Sequence, residues 1–157
     1  MLRTFSSDRQ GAAIVEFTIV LPVLLLLGLG VFEFSNALYG YHVITSGLRD
    51  AARFLARQDF TEEAKANARQ LAVYGEIGGT TKRLSWWDIG NVRVDQKTEP
   101  NPSDPVTGAP RYRGSNPLRI VVVSTDTSYP GLGLFSVIGL APTLNISTFH
   151  EERYIGD

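Results

Sequence analysis

Ala12-Ala-Ile-Val-Glu-Phe-Thr-Ile-Val-Leu-Pro-Val-Leu-Leu-Leu-Leu-Gly-Leu-Gly-Val31 is apolar at every position except Glu16 and Thr18. A run of about 20 such residues, rising 1.5 Å each as a helix, crosses the roughly 30 Å hydrocarbon core of a bilayer. The flanks strengthen that reading. From Gln10 to Leu48 there is no Lys or Arg, and the only acids are Glu16 and Glu33. A helix that is apolar all round needs cover on every side, and a chain of 157 residues has too little material to supply it. Pro22 would kink a helix in water but is tolerated in a membrane helix. A cleaved secretory signal fits less well. The run is long for a signal core, Glu16 lies inside it, and the nearest approach to a small-x-small cleavage site is the distant Ser35-Asn-Ala37. Arg3 and Arg9 precede the run and nothing basic follows closely. The positive-inside rule therefore predicts residues 1–10 in the cytoplasm and the rest outside.

Glu16 is the informative residue, because an ionisable group within a span is costly and usually functional. Gly11 stands five residues before it, at the start of the apolar run and just after a short basic segment. This arrangement resembles the type IV prepilin cleavage signature. The resemblance implies a membrane-embedded prepilin peptidase that cuts Gly11–Ala12 and leaves Glu16 as the fifth residue of the mature chain. The new ammonium on Ala12 and the Glu16 carboxylate of a neighbouring subunit can then neutralise each other, so that two charges expensive alone become tolerable as a pair.

Glu16-Phe17 is similar to the Glu-Tyr/Phe pair of Flp-type pilins, with Phe17 where Tyr is common. The stretch from Gly11 to Leu27 resembles the start of TadE/TadG-like proteins of the tight-adherence (Tad) pilus system. Val43-Ile-Thr-Ser-Gly-Leu-Arg-Asp-Ala-Ala-Arg-Phe-Leu-Ala56 resembles the Ala/Arg-rich helix that follows in that family. Thr127-Ser-Tyr-Pro130 and Leu144–Glu151 resemble its closing pattern of strand, apolar loop and strand. The chain is much longer than a major Flp pilin, which favours a minor pilin or pseudopilin. The implied partners are a prepilin peptidase, other major and minor pilins, the inner-membrane assembly platform and membrane lipid. Gly11 and Ala12 are the expected cleavage residues, and Glu16 and Phe17 the expected assembly residues.

Past Val31 the pattern becomes amphipathic. Ile44, Leu48, Ala51, Ala52 and Leu55 recur at helical spacing, with Arg49, Arg53 and Arg57 on a polar side. The expectation is one long helix from about Ala12 to Ala56, its first half (12–34) in lipid. A second helix is predicted over 61–74, with Thr61 as N-cap, Glu62 and Glu63 in the first turn and Gly75 as the stop. Strands are predicted at 89–94, 118–125 and 143–149, the second being the richest in β-branched residues. The fold class is therefore α+β and pilin-like: leader 1–11, span 12–34, and an extracytoplasmic domain 35–157 with a small antiparallel sheet on the long helix. Gln96–Pro117, dense in Pro, Gly, Asn and Asp, reads as an exposed loop. The apolar connection Pro130–Leu140 is too short to span; it can fold over the sheet, touch the outer leaflet or bind another subunit, and covering the domain's own core is the expectation.

Composition removes other functions. The 15 basic against 16 acidic residues give a net charge of −1, without the basic excess of a nucleic-acid binder. There is no Cys, hence no disulfide and no thiolate site, and the two His, His42 and His150, are too few for a metal cluster. His150-Glu151-Glu152 has no partnered nucleophile, and no phosphate-cradling glycine loop is present, so neither an enzyme nor a cofactor is expected. Trp86 and Trp87 are expected to pack on helices rather than line a binding face. The alternative to a pilin is an uncleaved single-span protein whose outer domain binds a ligand or an envelope component.

Overall fold

The computed structural model describes residues 9–114, 116–134 and 144–156. The fold is α+β. A long helix, α1 (Arg9–Leu55), is followed by α2 (Glu62–Tyr74) and three strands, β1 (Val92–Glu99), β2 (Leu118–Tyr129) and β3 (Leu144–Arg153). The strands form one antiparallel sheet in the order β1-β2-β3. The described chain divides into two compact units. One holds α1 up to Ala37 together with the segment that begins at Gly131; the other holds Leu38–Pro130 with the chain from Leu144 onward.

In the first unit every side chain from Gly11 to Gly28 is exposed. The helix is held there by its own ladder, and Thr18 Oγ1 donates to the Ile14 carbonyl at 2.7 Å. Pro22 sits inside it. Farther along α1, Glu33 is buried. It is 5% exposed, and its Oε1 accepts the Leu132 N–H at 2.7 Å. Gly131 makes that approach possible. Its φ is +72°, and a Cβ there would lie 2.9 Å from the same Oε1.

The second unit has a close-packed helical seam. Gly40, Ile44, Gly47, Leu48, Ala51 and Leu55 are buried on α1, each three or four residues from another of the set, which keeps them on one face. On α2 the buried row is Ala64, Ala68, Ala72 and Val73. Small residues on both rows bring the backbones near: a Cβ on Gly47 would lie 2.4 Å from the Ala72 carbonyl oxygen. Trp87, fully buried, lies against Gly47 and donates from Nε1 to Thr125 Oγ1 at 3.1 Å, and that hydroxyl donates to the Asn91 carbonyl at 2.9 Å. One side chain thus ties helix to sheet. Trp86 covers Gly40 and meets Tyr129 edge-on at 5.7 Å between ring centroids. Both tryptophans pack inside the unit.

Both ends of α2 are capped. Thr61 accepts the Ala64 N–H at 3.1 Å, and Gly75, at φ +83°, donates to the Leu71 carbonyl at 3.0 Å. The chain after β3 returns to α1, where the N–H groups of Ile155 and Gly156 both reach the Ala56 carbonyl at 2.8 and 3.1 Å. Asp50 on α1 pairs with Arg83 at 2.8 Å. Removing the α2 cap by Thr61→Ala is expected to cost about 1 kcal/mol, and Thr61→Ser to restore most of it. Urea unfolding followed by circular dichroism checks this, and an unchanged midpoint would show the cap to be idle.

The sheet differs from the expected strands in its limits. Ile89–Asn91 is a single 3-10 turn, not strand, because the Asp88 N–H bonds to the Asn91 side chain and closes the backbone there. β1 begins at Val92 and continues to Glu99, where the polar run is carried by the ladder to β2 (Asp95 opposite Val122, Lys97 opposite Ile120). β2 and β3 each run several residues past the predicted ends, because each extension finds a ladder on the other strand: Thr127 and Ser128 pair with Ile146 and Asn145 at the start of β3, and His150 and Glu152 pair with Val123 and Val121 of β2. Position 143 and most of the apolar connection, 135–143, lie outside the described residues, as do residues 1–8 of the expected leader.

The loop after β1 is also more built than an open loop. Asn101 is buried and grips Tyr112 twice, Nδ2 to the carbonyl at 2.7 Å and Oδ1 from the N–H at 2.9 Å. Asp104 Oδ1 accepts the N–H groups of Val106 and Thr107 at 2.9 and 2.8 Å. The expectation that Pro130–Leu140 covers the core of the domain is tested only at its start. There Gly131 and Leu132 lie against Glu33 of α1.

Candidate assembly site on the N-terminal helix

The expected site residues lie on the first turns of α1. Gly11 and Ala12 are already helical, two and three residues after its start at Arg9. Nothing lies within 4 Å of a Cβ built on Gly11.

Ala12 and Glu16 stand four residues apart, so they lie on one helix face, one turn from each other. Glu16 is exposed, and Phe17, 61% exposed, projects beside it. Neither the Glu16 nor the Phe17 side chain has a hydrogen bond or ring contact among the described residues. Around them α1 exposes Ile14, Val15, Ile19 and the leucines to Leu27. This helix is long and apolar enough to cross a membrane, and its most apolar window is not buried at all. A core helix would be covered; this one presents its whole circumference to whatever surrounds it.

The α+β unit carries no comparable chemical constellation. Its ionic features are surface pairs. The hydrogen bond from Lys65, at 2.7 Å, holds the Glu62 carboxyl below its usual value. The bond to Glu151 raises the Lys97 ammonium, and backbone N–H groups of Thr107 and Val106 lower Asp104. His150 lies 3.4 Å from Glu152 at the sheet edge. A shallow cleft of about 450 Å³ runs between α2 and β1, bordered by Arg69, Gly90, Arg93 and Asp95. No group of three or more metal-ligating side chains occurs among the described residues. Arg49, Arg53 and Arg57 are exposed, as a solvated helix face requires.

In the sequence Glu33 is simply the second acid of the window from Gln10 to Leu48. Its signal was present in the spacing, since Glu33, Ala37, Gly40 and Ile44 follow the same buried seam. Its partner, a glycine turn about a hundred residues on, left no local mark. No curated protein and no solved structure matches the chain. Residues 11–53, nearly the whole of α1, match the family model described as TadE-like protein, so over that helix the chain is similar to this family.

Proposed function

We propose that this chain is a minor pilin or pseudopilin of a Tad-type pilus, cut by a prepilin peptidase at Gly11–Ala12 and used in pilus assembly. The observation that carries the reading is a fully exposed apolar helix whose acid, Glu16, stands five residues after a glycine at the helix start, within a TadE-like segment. Residues 1–10 are on the cytoplasmic side, the apolar part of α1 spans the inner membrane, and the α+β unit stands outside. The role is structural rather than catalytic. Its partners are the peptidase, major and minor pilins that pack along α1, and the membrane platform that extracts them. Glu16 and Phe17 form the contact by which one helix registers against the next.

Co-expression with a Tad-type prepilin peptidase is expected to yield a chain that begins at Ala12, seen by intact mass of the membrane-bound protein. Gly11→Leu is expected to abolish the cut while leaving membrane insertion unchanged. Full-length mass alone, with a peptidase that processes a control pilin, would remove the pilin reading and leave the uncleaved single-span protein. In that second reading the cleft beside Arg69 and Arg93 is where a ligand enters.

A further inference from the structure

The apolar character of α1 does not stop where the leucine run stops. Beyond Gly30, the exposed side chains up to Tyr41 are Val31, Phe32, Phe34, Ser35, Leu38, Tyr39 and Tyr41. All but Ser35 are apolar or aromatic, and the Ser35 hydroxyl is already satisfied by the Val31 carbonyl at 2.8 Å. The polar residues of this stretch lie on the other side: Glu33 is buried and Asn36 half-buried. The change comes at His42. From there the exposed positions are His42, Ser46, Arg49 and Arg53.

From Ala12 to Tyr41 an α-helix rises about 44 Å, against the 40–45 Å of a bilayer counted with its headgroup zones. Aromatic side chains collect at those zones because one end of the ring wants lipid and the other water. We infer that the outer membrane surface crosses α1 at Tyr39–Tyr41, so that Phe32, Phe34 and Leu38 face lipid. This rests on the proposed single-span reading. It places Glu16 at the inner edge of the hydrocarbon and Glu33 about 5 Å inside the outer edge.

That depth gives the Glu33 contact a purpose. A carboxylate facing hydrocarbon is expensive. Here the Gly131–Leu132 turn covers it and donates a backbone N–H to Oε1. The other oxygen, Oε2, is buried without a hydrogen-bond partner among the described residues, so it is shielded from lipid as well. The turn is thereby held below the membrane surface. Leu132, 46% exposed, becomes a second point of lipid contact.

The absence of cysteine makes the test direct. Single cysteines at the exposed positions Leu24, Leu38, Tyr39, Leu132, Ser46 and Arg49 are labelled with bimane in the full-length chain. Each protein is reconstituted at low density in phosphatidylethanolamine–phosphatidylglycerol vesicles containing lipids brominated on the upper acyl chain. Leu24→Cys, Leu38→Cys, Tyr39→Cys and Leu132→Cys are expected to lose fluorescence on bromination, and Ser46→Cys and Arg49→Cys to keep it. Quenching at Leu24 with none at Leu38, Tyr39 and Leu132 would overturn the inference and leave the span intact. That outcome would mean the aromatic face meets water or a second copy. Absence of quenching at Leu24 as well would remove the span, and the inference with it.

Discussion

Alanine at position 47 will destabilise the α+β unit, although glycine-to-alanine changes within helices ordinarily stabilise by up to about 1 kcal/mol. The sign reverses because of what the new methyl meets. Its carbon would stand 2.4 Å from the Ala72 carbonyl oxygen and 2.9–3.0 Å from the Trp87 ring. The ring is fully buried and hydrogen-bonded to Thr125, so it has no free rotamer to adopt. The carbonyl belongs to the backbone of α2 and moves only if that helix moves. Overpacking of a close-packed core costs about 1–3 kcal/mol, and a backbone clash belongs at the upper end. Net of helix propensity, a loss of about 2 kcal/mol is expected for Gly47→Ala. Trp87→Ala acts on the same joint from the other side. It removes the largest buried side chain and leaves a cavity, for an expected loss of about 3–5 kcal/mol. Gly28→Ala is the control, because nothing lies within 4 Å of its would-be methyl. Urea unfolding of the full-length protein in detergent, read by tryptophan fluorescence for Gly47→Ala and by circular dichroism for Trp87→Ala, measures all three. A Gly47→Ala protein as stable as Gly28→Ala would mean that α1 and α2 do not approach as closely as the seam requires.

The features legible in the sequence are those written in local patterns. The window from Gln10 to Leu48, without Lys or Arg and with only two acids, announces the exposed helix. Thr61, Glu62, Glu63 and Gly75 mark both ends of α2, because caps depend on the residue at one position and on neighbours three or four away. Val121, Val122 and Val123 mark the central strand, which gathers β-branched residues where it is paired on both sides. Strand limits were less legible. Lys97, Thr98 and Glu99 look like loop, and they become strand only because Leu118–Ile120 pair with them. The same holds for His150, Glu151 and Glu152, whose ladder is supplied by β2. Asn101 sits in a Pro- and Asp-rich stretch that reads as exposed. Its burial depends on Tyr112 folding back over it, a contact no periodicity encodes.

The site divides in the same way. Gly11 and Glu16 are visible because a spacing within one helix is a local quantity. Glu33 was not, since the turn that covers it arrives through a separate connection. The TadE-like match follows this division as well. It covers the helix, a run of local spacings along one segment, and stops before the sheet, whose contacts are assembled from segments far apart.

Glu16→Ala is expected to leave insertion and peptidase processing largely intact and to abolish incorporation into pili. Apolar helices gain no hydrophobic free energy by meeting in lipid, because the tails they leave are as apolar as the side chains they find. Register must come from packing and from polar contacts, and Glu16 is the only acid in the exposed apolar run of α1. The proposed cut at Gly11–Ala12 would create an ammonium one helical turn from that acid, and packing between subunits would take both groups out of water. Alone, each charge is costly there; paired between adjacent subunits, each offsets the other. Alanine removes one partner only and leaves the ammonium uncompensated at the interface, a loss of about 3–5 kcal/mol for a buried pair. Spread over repeated contacts, that is enough to prevent incorporation. Glu16→Gln keeps a hydrogen-bond acceptor of similar shape and should be the milder change, so the order wild type, Gln, Ala is itself part of the expected result. Surface pili, adherence, and crosslinking from a photoreactive group at position 17 to other pilins give the readout. Wild-type crosslinking by the Ala variant would show that Glu16 acts on the peptidase or on nothing, and that Phe17 and its apolar neighbours set the register unaided.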